Sequence, residues 1–331
     1  MPDEPQKKFL IIQTAFLGDV VLATALVEKI HSFFPEAEIH FLLRKGNEEL
    51  LVGNPIISKV LIWIKKEDKI KNLFNLIISI RKEKYDYVIN CHRFFSSGLQ
   101  TVFSGAKNTI GFKKNPLSFF FTRTTEHKFE GEHETERNQK LIAHLTNPIP
   151  SKPRLYPPQN IGNSIPSQQT YITISPASVW FTKQFPKERW VEFINLVPDN
   201  LDIVLLGGDN DRSLCEEIKK LVVLPSRVCI LAGRMKLLES AALMQNAVMN
   251  YMNDSAPMHL ASAVDAPTTA IYCSTIPDFG FGPLADDAVV VHERENLPCR
   301  PCGIHGYESC PEGHFKCALD INIQELVNRI Q

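Results

Sequence analysis

Apolar positions along the chain follow two alternating rhythms. Short continuous apolar runs at 8–13, 38–43, 58–64 and 85–90 are separated by stretches with helical spacing at about 19–34, 47–53 and 68–82. Runs of that length predict buried strands, and the stretches between them predict the covering helices of βαβ units in a parallel sheet. From 147 to 169 the rhythm stops. Six prolines fall between 148 and 166 in NPIPSKPRLYPPQNIGNSIPSQQ, the composition of a linker. The alternation then resumes. Strands are predicted at 171–175, 202–208, 228–231, 247–251 and 268–272, with helices at 186–197, 210–222, 236–246 and 256–264. The pattern is that of two Rossmann-like α/β domains facing each other. Ligands of such sheets gather at the carboxyl ends of the strands, so chemistry is sought in the loops that follow them.

Composition narrows the class. With 331 residues, 44% of them hydrophobic and 22% charged, the chain can build about two ordinary cores and is not disordered. A net charge of −1 excludes a general nucleic-acid binder while leaving room for a local basic patch. No apolar run approaches the roughly 20 residues that cross a bilayer. Lys7 and Lys8 before FLII imitate a signal peptide, but Gln13, Thr14 and Asp19 interrupt any apolar core. A cytoplasmic address is expected, with peripheral contact at the inner membrane face left open.

Three loops after predicted strands carry candidate chemistry. In TAFLGDVVLATAL, Asp19 follows Gly18 at the seam between a buried strand and a buried helix. One reading is a helix-start carboxylate favoured by the macrodipole. The other is a functional carboxylate at the mouth of a cleft, where Gly18 permits close backbone approach. In SPASVWFTKQFPKERW, Ser175, Ala177 and Ser178 are small enough to admit a ligand. Lys183 there is either a solvated lysine or a phosphate partner. In NDSAPMHLASAV, Asn253 or Asp254 can cap a helix in which Ser255, Ala256 and Pro257 open the first turn and His259 follows. Such a helix start is an anion site. The turn LLGGDNDRS, with Gly207, lacks the G-x-G-x-x-G spacing, and no P-loop occurs. Its Asp209-x-Asp211 is read as capping rather than as a metal site.

In their order and spacing, LGDVVLATAL, SPAS…TKQFPKERW, IVLLGG, LAGRMKLLE, NDSAPMHLASA and LPCRPCGIHGYESCPEGHFKC resemble glycosyltransferase family 9, the bacterial lipopolysaccharide heptosyltransferases. The resemblance implies a GT-B fold, two Rossmann-like domains facing a central cleft. Residues 1–150 would bind acceptor, 151–169 would link, and 170–331 would bind the nucleotide-sugar donor and include the cysteine tail. It implies an inverting, cofactor-free and metal-independent transfer of a heptose or related sugar from an ADP-sugar to the lipopolysaccharide core. The partners would be a nucleotide-sugar donor and a phosphorylated glycolipid acceptor. Asp19 matches the general base, with Gly18 beside it. Lys183 matches the lysine at the donor diphosphate. Asp254, Ser255, Ala256 and His259 match the motif D-T-G-x-x-H. Ser178 and Gly207 join the donor side, and Glu239 is a candidate ribose contact. Ser for Thr at 255, Ala for Gly at 256, and GRMKLLE in place of GKTSLxE are departures that bear on donor identity. Two other readings stay open: a nucleotide-sugar epimerase on the same fold, and a catalytically silent sugar-nucleotide binding module. A Rossmann oxidoreductase has no fingerprint behind it.

Two segments carry weaker signals. Cys299, Cys302, Cys310 and Cys317 place four thiols within 19 residues, spacing that suits a structural zinc or a reduced, loop-packing cluster. Cys91, Cys215, Cys229 and Cys273 read as buried thiols. Residues 104–128 interleave Lys107, Lys113, Lys114, Arg123 and Lys128 with Phe112 and the run FFF at 119–121. They read either as ordinary structure with solvated flanks or as a basic, aromatic face for a phosphorylated glycolipid at a membrane.

Overall fold

A computed structural model describes residues 6–65, 68–129, 131–159, 170–294 and 297–330. The chain divides into two compact units, Met1–Tyr156 and Pro157–Gln331.

The first unit runs β1 (Lys8–Ile12), α1 (Leu17–Phe33), β2 (Glu38–Arg44), β3 (Ile57–Trp63), α2 (Lys69–Lys82), β4 (Tyr87–Asn90), α3 (Phe95–Val102), β5 (Asn108–Phe112), β6 (Arg123–Thr125) and α4 (Glu134–Lys140). Its six strands pair in parallel in the order β3-β2-β1-β4-β5-β6. The order reverses between β1 and β4, where Ile12 pairs with Leu42 on one side and Asn90 on the other. Phe9 to Ile12 are all fully buried, because helices cover both faces of a parallel sheet and leave no polar side for alternation. α1 is apolar nearly all round, with Val20 to Val27 buried without interruption. Its outer side is closed by the proline-rich strap that follows α4. There the Arg154 amide donates to Thr24 Oγ1 at 3.0 Å, and the Tyr156 hydroxyl donates to Glu28 at 2.9 Å. The segment expected as a linker is therefore packed onto this unit as far as Tyr156. Its residues 160–169 lie outside the described ones.

The second unit runs β7 (Tyr171–Ser175), α5 (Lys187–Leu196), β8 (Asp202–Leu205), α6 (Arg212–Leu221), β9 (Val228–Ile230), α7 (Leu237–Asn246), β10 (Asn250–Asn253), α8 (Ala256–Ala263), β11 (Thr268–Tyr272), β12 (Ala288–His292), α9 (Lys316–Leu319) and α10 (Ile323–Val327). Its parallel order, β12-β11-β10-β7-β8-β9, repeats that of the first sheet, with the reversal between β7 and β10. The core is aromatic. Trp190 meets Phe185 edge-on at 5.1 Å, and Phe193 lies 4.6 Å from Tyr251. The Tyr251 hydroxyl donates to the Leu326 carbonyl at 2.9 Å and so fastens α10 to the sheet.

Several elements depart from the apolar pattern. Residues 47–53 make only a single 3-10 turn, Glu48–Leu51, because Gly46 and Gly53 turn the chain on either side at φ 100° and 73°. β10 begins three residues later than predicted. The buried Asn250 at its start bonds Met244 O, Pro267 O and Thr173 Oγ1. α4, ETERNQK, has no apolar residue for periodicity to find, yet Glu134, Thr135, Arg137, Asn138 and Gln139 are buried. β5, β6 and α3 are also unpredicted, being short and punctuated by polar residues, and β12 is unpredicted despite its apolar run AVVVH.

Candidate functional site

Each reversal point holds a cluster of polar side chains. In the first unit the chain leaves β1 through Gln13–Phe16 and enters α1 at Leu17. That start lies two residues before the one predicted, so Gly18 and Asp19 fall inside the first turn. The Asp19 carboxylate accepts from the Phe16 amide at 3.1 Å, a cap of its own helix. Its electrostatics go further than a cap requires. Burial first, then the charge of Glu134, push its pKa up to about 6 against the lowering effect of the Phe16 and Asp19 amides and of Arg44. A carboxylate so placed is a base poised near neutral pH.

Arg44 is the cation that acts on it, and further polar groups stand at the same end of the sheet. Thr14 Oγ1 and His92 Nδ1 lie 3.0 Å apart across the β1/β4 reversal. Burial, then Lys65, Arg93 and Arg44, bring the His92 pKa down to about 4, so its ring is neutral. Lys65 Nζ donates to the Thr14 carbonyl at 2.7 Å and sits 4.5 Å from the Trp63 ring centre. Burial, then Arg44 and Lys69, lower it to about 8. Glu134 is itself buried, held by Arg137 Nη1 at 3.0 Å and His127 Nε2 at 3.1 Å.

In the second unit Asn253, the last residue of β10, clamps the loop after β7. Its Oδ1 accepts from the Phe185 amide at 2.9 Å, and its Nδ2 donates to the Pro176 carbonyl at 2.8 Å. Within that loop a single turn, Phe181–Lys183, presents Lys183. Its Nζ lies 2.6 Å from Asp254 Oδ2, the oxygen that also accepts from Thr275 Oγ1 at 2.7 Å. Asp254 is 7% exposed, so the pair is largely out of water, where a charge needs its partner. Neither Asn253 nor Asp254 caps α8, contrary to the sequence reading, because both side chains are committed elsewhere. Ser255 is the cap residue, its side chain makes no cap hydrogen bond, and Ala256 and Pro257 open the helix. Those amides and the positive end of the dipole make an anion site. His259 lies one turn in, largely buried, with its ring 6.4 Å from Phe281.

The remaining candidates have local roles. The Ser178 carbonyl accepts from Gln184 Nε2 at 2.6 Å. A Cβ on Gly207 would come within 2.7 Å of Asp211, whose carboxylate accepts from the Gly208 amide at 2.8 Å. Asp211 thus closes its own turn. Glu239 accepts from the Lys236 amide at 2.8 Å at the start of α7. The structure therefore gathers Lys183, Asp254, Ser255, Ala256 and His259 at one reversal point. It sets Gly207 and Glu239 at the starts of neighbouring elements of the same unit and places Gly18 and Asp19 at the reversal point of the other unit. Sequence reasoning missed Lys65, His92 and Thr275, although each follows a predicted strand and the rule that found Lys183 applies to them. Nothing in the pattern pointed to Glu134.

Comparisons with known proteins bear on the family and the fold. A family model described as glycosyltransferase family 9 (heptosyltransferase) matches residues 73–304. Lipopolysaccharide heptosyltransferase 3 of Escherichia coli is 26% identical over 279 residues, covering 78% of this chain and 82% of that protein. The solved E. coli ADP-heptose lipopolysaccharide heptosyltransferase II superposes with a TM-score of 0.81 at 21% identity, over 98% of this chain and 97% of that one. The E. coli heptosyltransferase WaaC, solved with ADP-2-deoxy-2-fluoro heptose, gives 0.69 at 19% identity, over 88% and 94%.

Proposed function

Because the chain belongs to glycosyltransferase family 9, the heptosyltransferase family, we propose that it moves a heptose from ADP-heptose to the core oligosaccharide of lipopolysaccharide, with inversion and without a catalytic metal. The observation that carries this reading is Asp19, a carboxylate just after β1 whose pKa burial and the charge of Glu134 push up to about 6. Asp19 takes the proton of the acceptor hydroxyl. The freed oxygen attacks the anomeric carbon from the face opposite the nucleotide as the bond from that carbon to the diphosphate oxygen breaks. One displacement inverts the centre, and ADP leaves with the bonding pair.

The charge that develops on the diphosphate has two sources of stabilisation in the second unit: the Lys183 ammonium and the start of α8. Asp254 then serves as the holder of Lys183 rather than as a phosphate contact, since a carboxylate repels phosphate. Ser255 and Ala256 bring the helix start to the phosphates. Ser178, Gly207, Glu239 and His259 complete the donor side, with Glu239 reaching the ribose from its fixed place on α7. Arg44, Lys65 and Arg93 suit a phosphorylated acceptor. The D-x-D at 209–211 is not needed for metal, because Asp211 is spent on the glycine turn.

Thermal unfolding with a panel of nucleotide sugars tests the donor. ADP-heptose at about 100 times its dissociation constant should add roughly 2.7 kcal/mol of stability, a shift absent in Lys183→Ala. A shift with another nucleotide sugar alone would change the donor. Turnover to free nucleotide without acceptor would favour an epimerase.

Contact with a membrane surface is part of the same proposal. Phe119 and Phe120 are 73% and 60% exposed, with ring centres 4.1 Å apart, while Phe112 and Phe121 are buried. Phe94 and Phe95 are exposed on the same unit, with Arg93, Lys113 and Lys114 interspersed in sequence. Aromatic rings beside cations suit an anionic lipid interface. Vesicles containing anionic lipid should retain the protein at low salt and lose it when Phe119 and Phe120 become Ser. Equal retention of both proteins would remove the assignment. No described helix is long and apolar enough to cross a membrane.

A further inference from the structure

The chain between β4 and α3 is held by side chains that are themselves buried. Asn90 Oδ1 accepts from the His92 amide at 2.9 Å. Asn115 Nδ2 donates to the His92 carbonyl at 3.1 Å and to the Phe94 carbonyl at 3.0 Å, and its Oδ1 accepts from the Leu117 amide at 3.0 Å. Gly98 leaves room for Asn115, since a Cβ there would collide with Asn115 Oδ1. Asn90 and Asn115 are both buried, so two amide side chains are committed to the backbone around one imidazole. Phe94 packs edge-on against that ring, with centres 4.6 Å apart. Buried polar groups whose hydrogen bonds are met make a rigid frame. A backbone framed in this way fixes the place of the His92 ring.

One nitrogen of this ring is engaged and the other is open. Nδ1 lies 3.0 Å from Thr14 Oγ1. Nε2 has no hydrogen-bond partner among the described residues and is not sealed from solvent. Thr14 decides which nitrogen carries the proton, because it is fully buried and His92 is the partner of its hydroxyl. With the proton on Nδ1, the ring would donate to Oγ1 and strand the hydroxyl proton in the interior. With Nδ1 bare, the hydroxyl donates to it and no buried donor is left unmet. The ring therefore turns Nε2–H outward. Burial and the charges of Lys65, Arg93 and Arg44 keep it neutral. Among the described residues, none of these three cations forms an ion pair with a carboxylate. Each lies beside an aromatic ring instead: Arg44 is 5.1 Å from the centre of Phe16, Lys65 4.5 Å from that of Trp63, and Arg93 5.6 Å from that of Phe94. Cations held on rings without a counter-ion, grouped about an open donor, suit a ligand that carries negative charge.

We propose that His92 is a specificity-determining contact for the acceptor, its Nε2–H donating to an oxygen of a negatively charged sugar whose charge Arg44, Lys65 and Arg93 receive, with Thr14 as the positioning residue that keeps the proton on Nε2. That the ligand is a glycan acceptor rests on the function proposed above, whereas the tautomer and the open donor do not. Since β1 and β4 are neighbours, this contact and Asp19 stand at the same reversal point. A sugar seated out of register would leave a desolvated N–H unpaired, and it is such unpaired groups that let a polar site reject the wrong substrate.

The first readout needs no substrate. Two-bond proton–nitrogen correlations on the nitrogen-15-labelled full chain at neutral pH should show His92 in one form, with Nε2 protonated and Nδ1 bare. Thr14→Val should mix the two tautomers. A proton on Nδ1 in the wild type would overturn the assignment, and a single unchanged tautomer in Thr14→Val would overturn the positioning role. The second readout is kinetic, with ADP-heptose and lipopolysaccharides truncated at successive core sugars. His92→Phe keeps a ring beside Phe94 and removes the donor, and pairing it with Thr14→Val leaves no buried hydroxyl stranded. The pair should raise the acceptor KM about 10- to 100-fold with kcat changed far less, while the thermal shift from ADP-heptose stays. His92→Gln, which sets an amide N–H near the place of Nε2, should restore most of that loss. An unmoved acceptor KM in the paired variant would overturn the contact. So would equal losses with Phe and with Gln, the mark of packing alone. If the wild type turns over none of these lipopolysaccharides, the function proposed above fails and His92 is judged by its Nε2 signal. That signal should still move when deacylated core oligosaccharide is added, whether its charge comes from phosphate, in which case dephosphorylation abolishes the effect, or from a sugar carboxylate, in which case the effect persists. A signal left in place, or one moved equally by an uncharged oligosaccharide, would overturn the proposal.

Discussion

Asp19→Asn is expected to lower turnover by roughly 10²–10⁴-fold while the donor-induced thermal shift stays, because a general base acts on the acceptor proton and not on donor binding. In wild-type protein the rate should rise with pH through about 6, as Asp19 becomes ionised. The same substitution should stabilise the fold. The carboxyl holds its proton more tightly in the folded chain than at its ordinary value of 3.8. Stability is therefore highest below that value and falls as pH rises through 6. Asn escapes this loss and still accepts from the Phe16 amide. Above pH 7 the gain should reach as much as about 3 kcal/mol, at roughly 1.4 kcal/mol per pKa unit, and it should vanish at pH 4. A variant that is inactive but no more stable at pH 8 would show that Asp19 carries no such burden. A folded variant with near-normal turnover would remove it as the base.

Arg137→Ala should be the most damaging single change to stability. The guanidinium is fully buried against Glu134, and its removal leaves a buried carboxylate with His127 alone beside it. Breaking one side of such a pair costs about 3–5 kcal/mol, which for a unit of this size lowers the melting midpoint by roughly 10 °C. The double variant Glu134→Gln/Arg137→Met should recover most of that loss, because no unpaired charge remains. Glu134→Gln also has a kinetic signature. Glu134 is the second cause of the raised Asp19 pKa, so its neutralisation should move the acid limb of the rate profile to lower pH. An unmoved limb would confine Glu134 to a packing role.

Much of the architecture was legible because a doubly covered parallel sheet writes continuous apolar runs into its strands. FLII, YITIS and DIVLL are unmistakable in that respect. Legibility ended where burial is achieved by polar residues. α4 reads as a surface helix by composition, yet Glu134 and Arg137 lie inside and neutralise each other. Such pairing depends on contacts across the sequence that periodicity does not record. The site follows the same division. Asp19, Lys183 and the helix start at 255–259 come soon after strands, where chain order alone directs attention. What Asp254 does was not legible. Its place before a helix suggested a cap and the family resemblance implied a phosphate contact, whereas its carboxylate points to Lys183 and Thr275, and only packing reveals that choice. Of the D-x-D at 209–211, Asp211 does cap, accepting from the Gly208 amide of the glycine turn before the helix.

The packing of the two units bears on how such a protein changes over generations. The apolar cluster around Trp190 is drawn wholly from residues 172–327, and that around Trp63 wholly from residues 10–88. A substitution that loosens one core transmits its strain to neighbours in contact, and effects at well-separated positions simply add. Damage to either cluster and its repair are therefore shared among that cluster's own residues. Compensating changes for a loosened Trp63 are to be sought between residues 10 and 88, and those for a loosened Trp190 between residues 172 and 327.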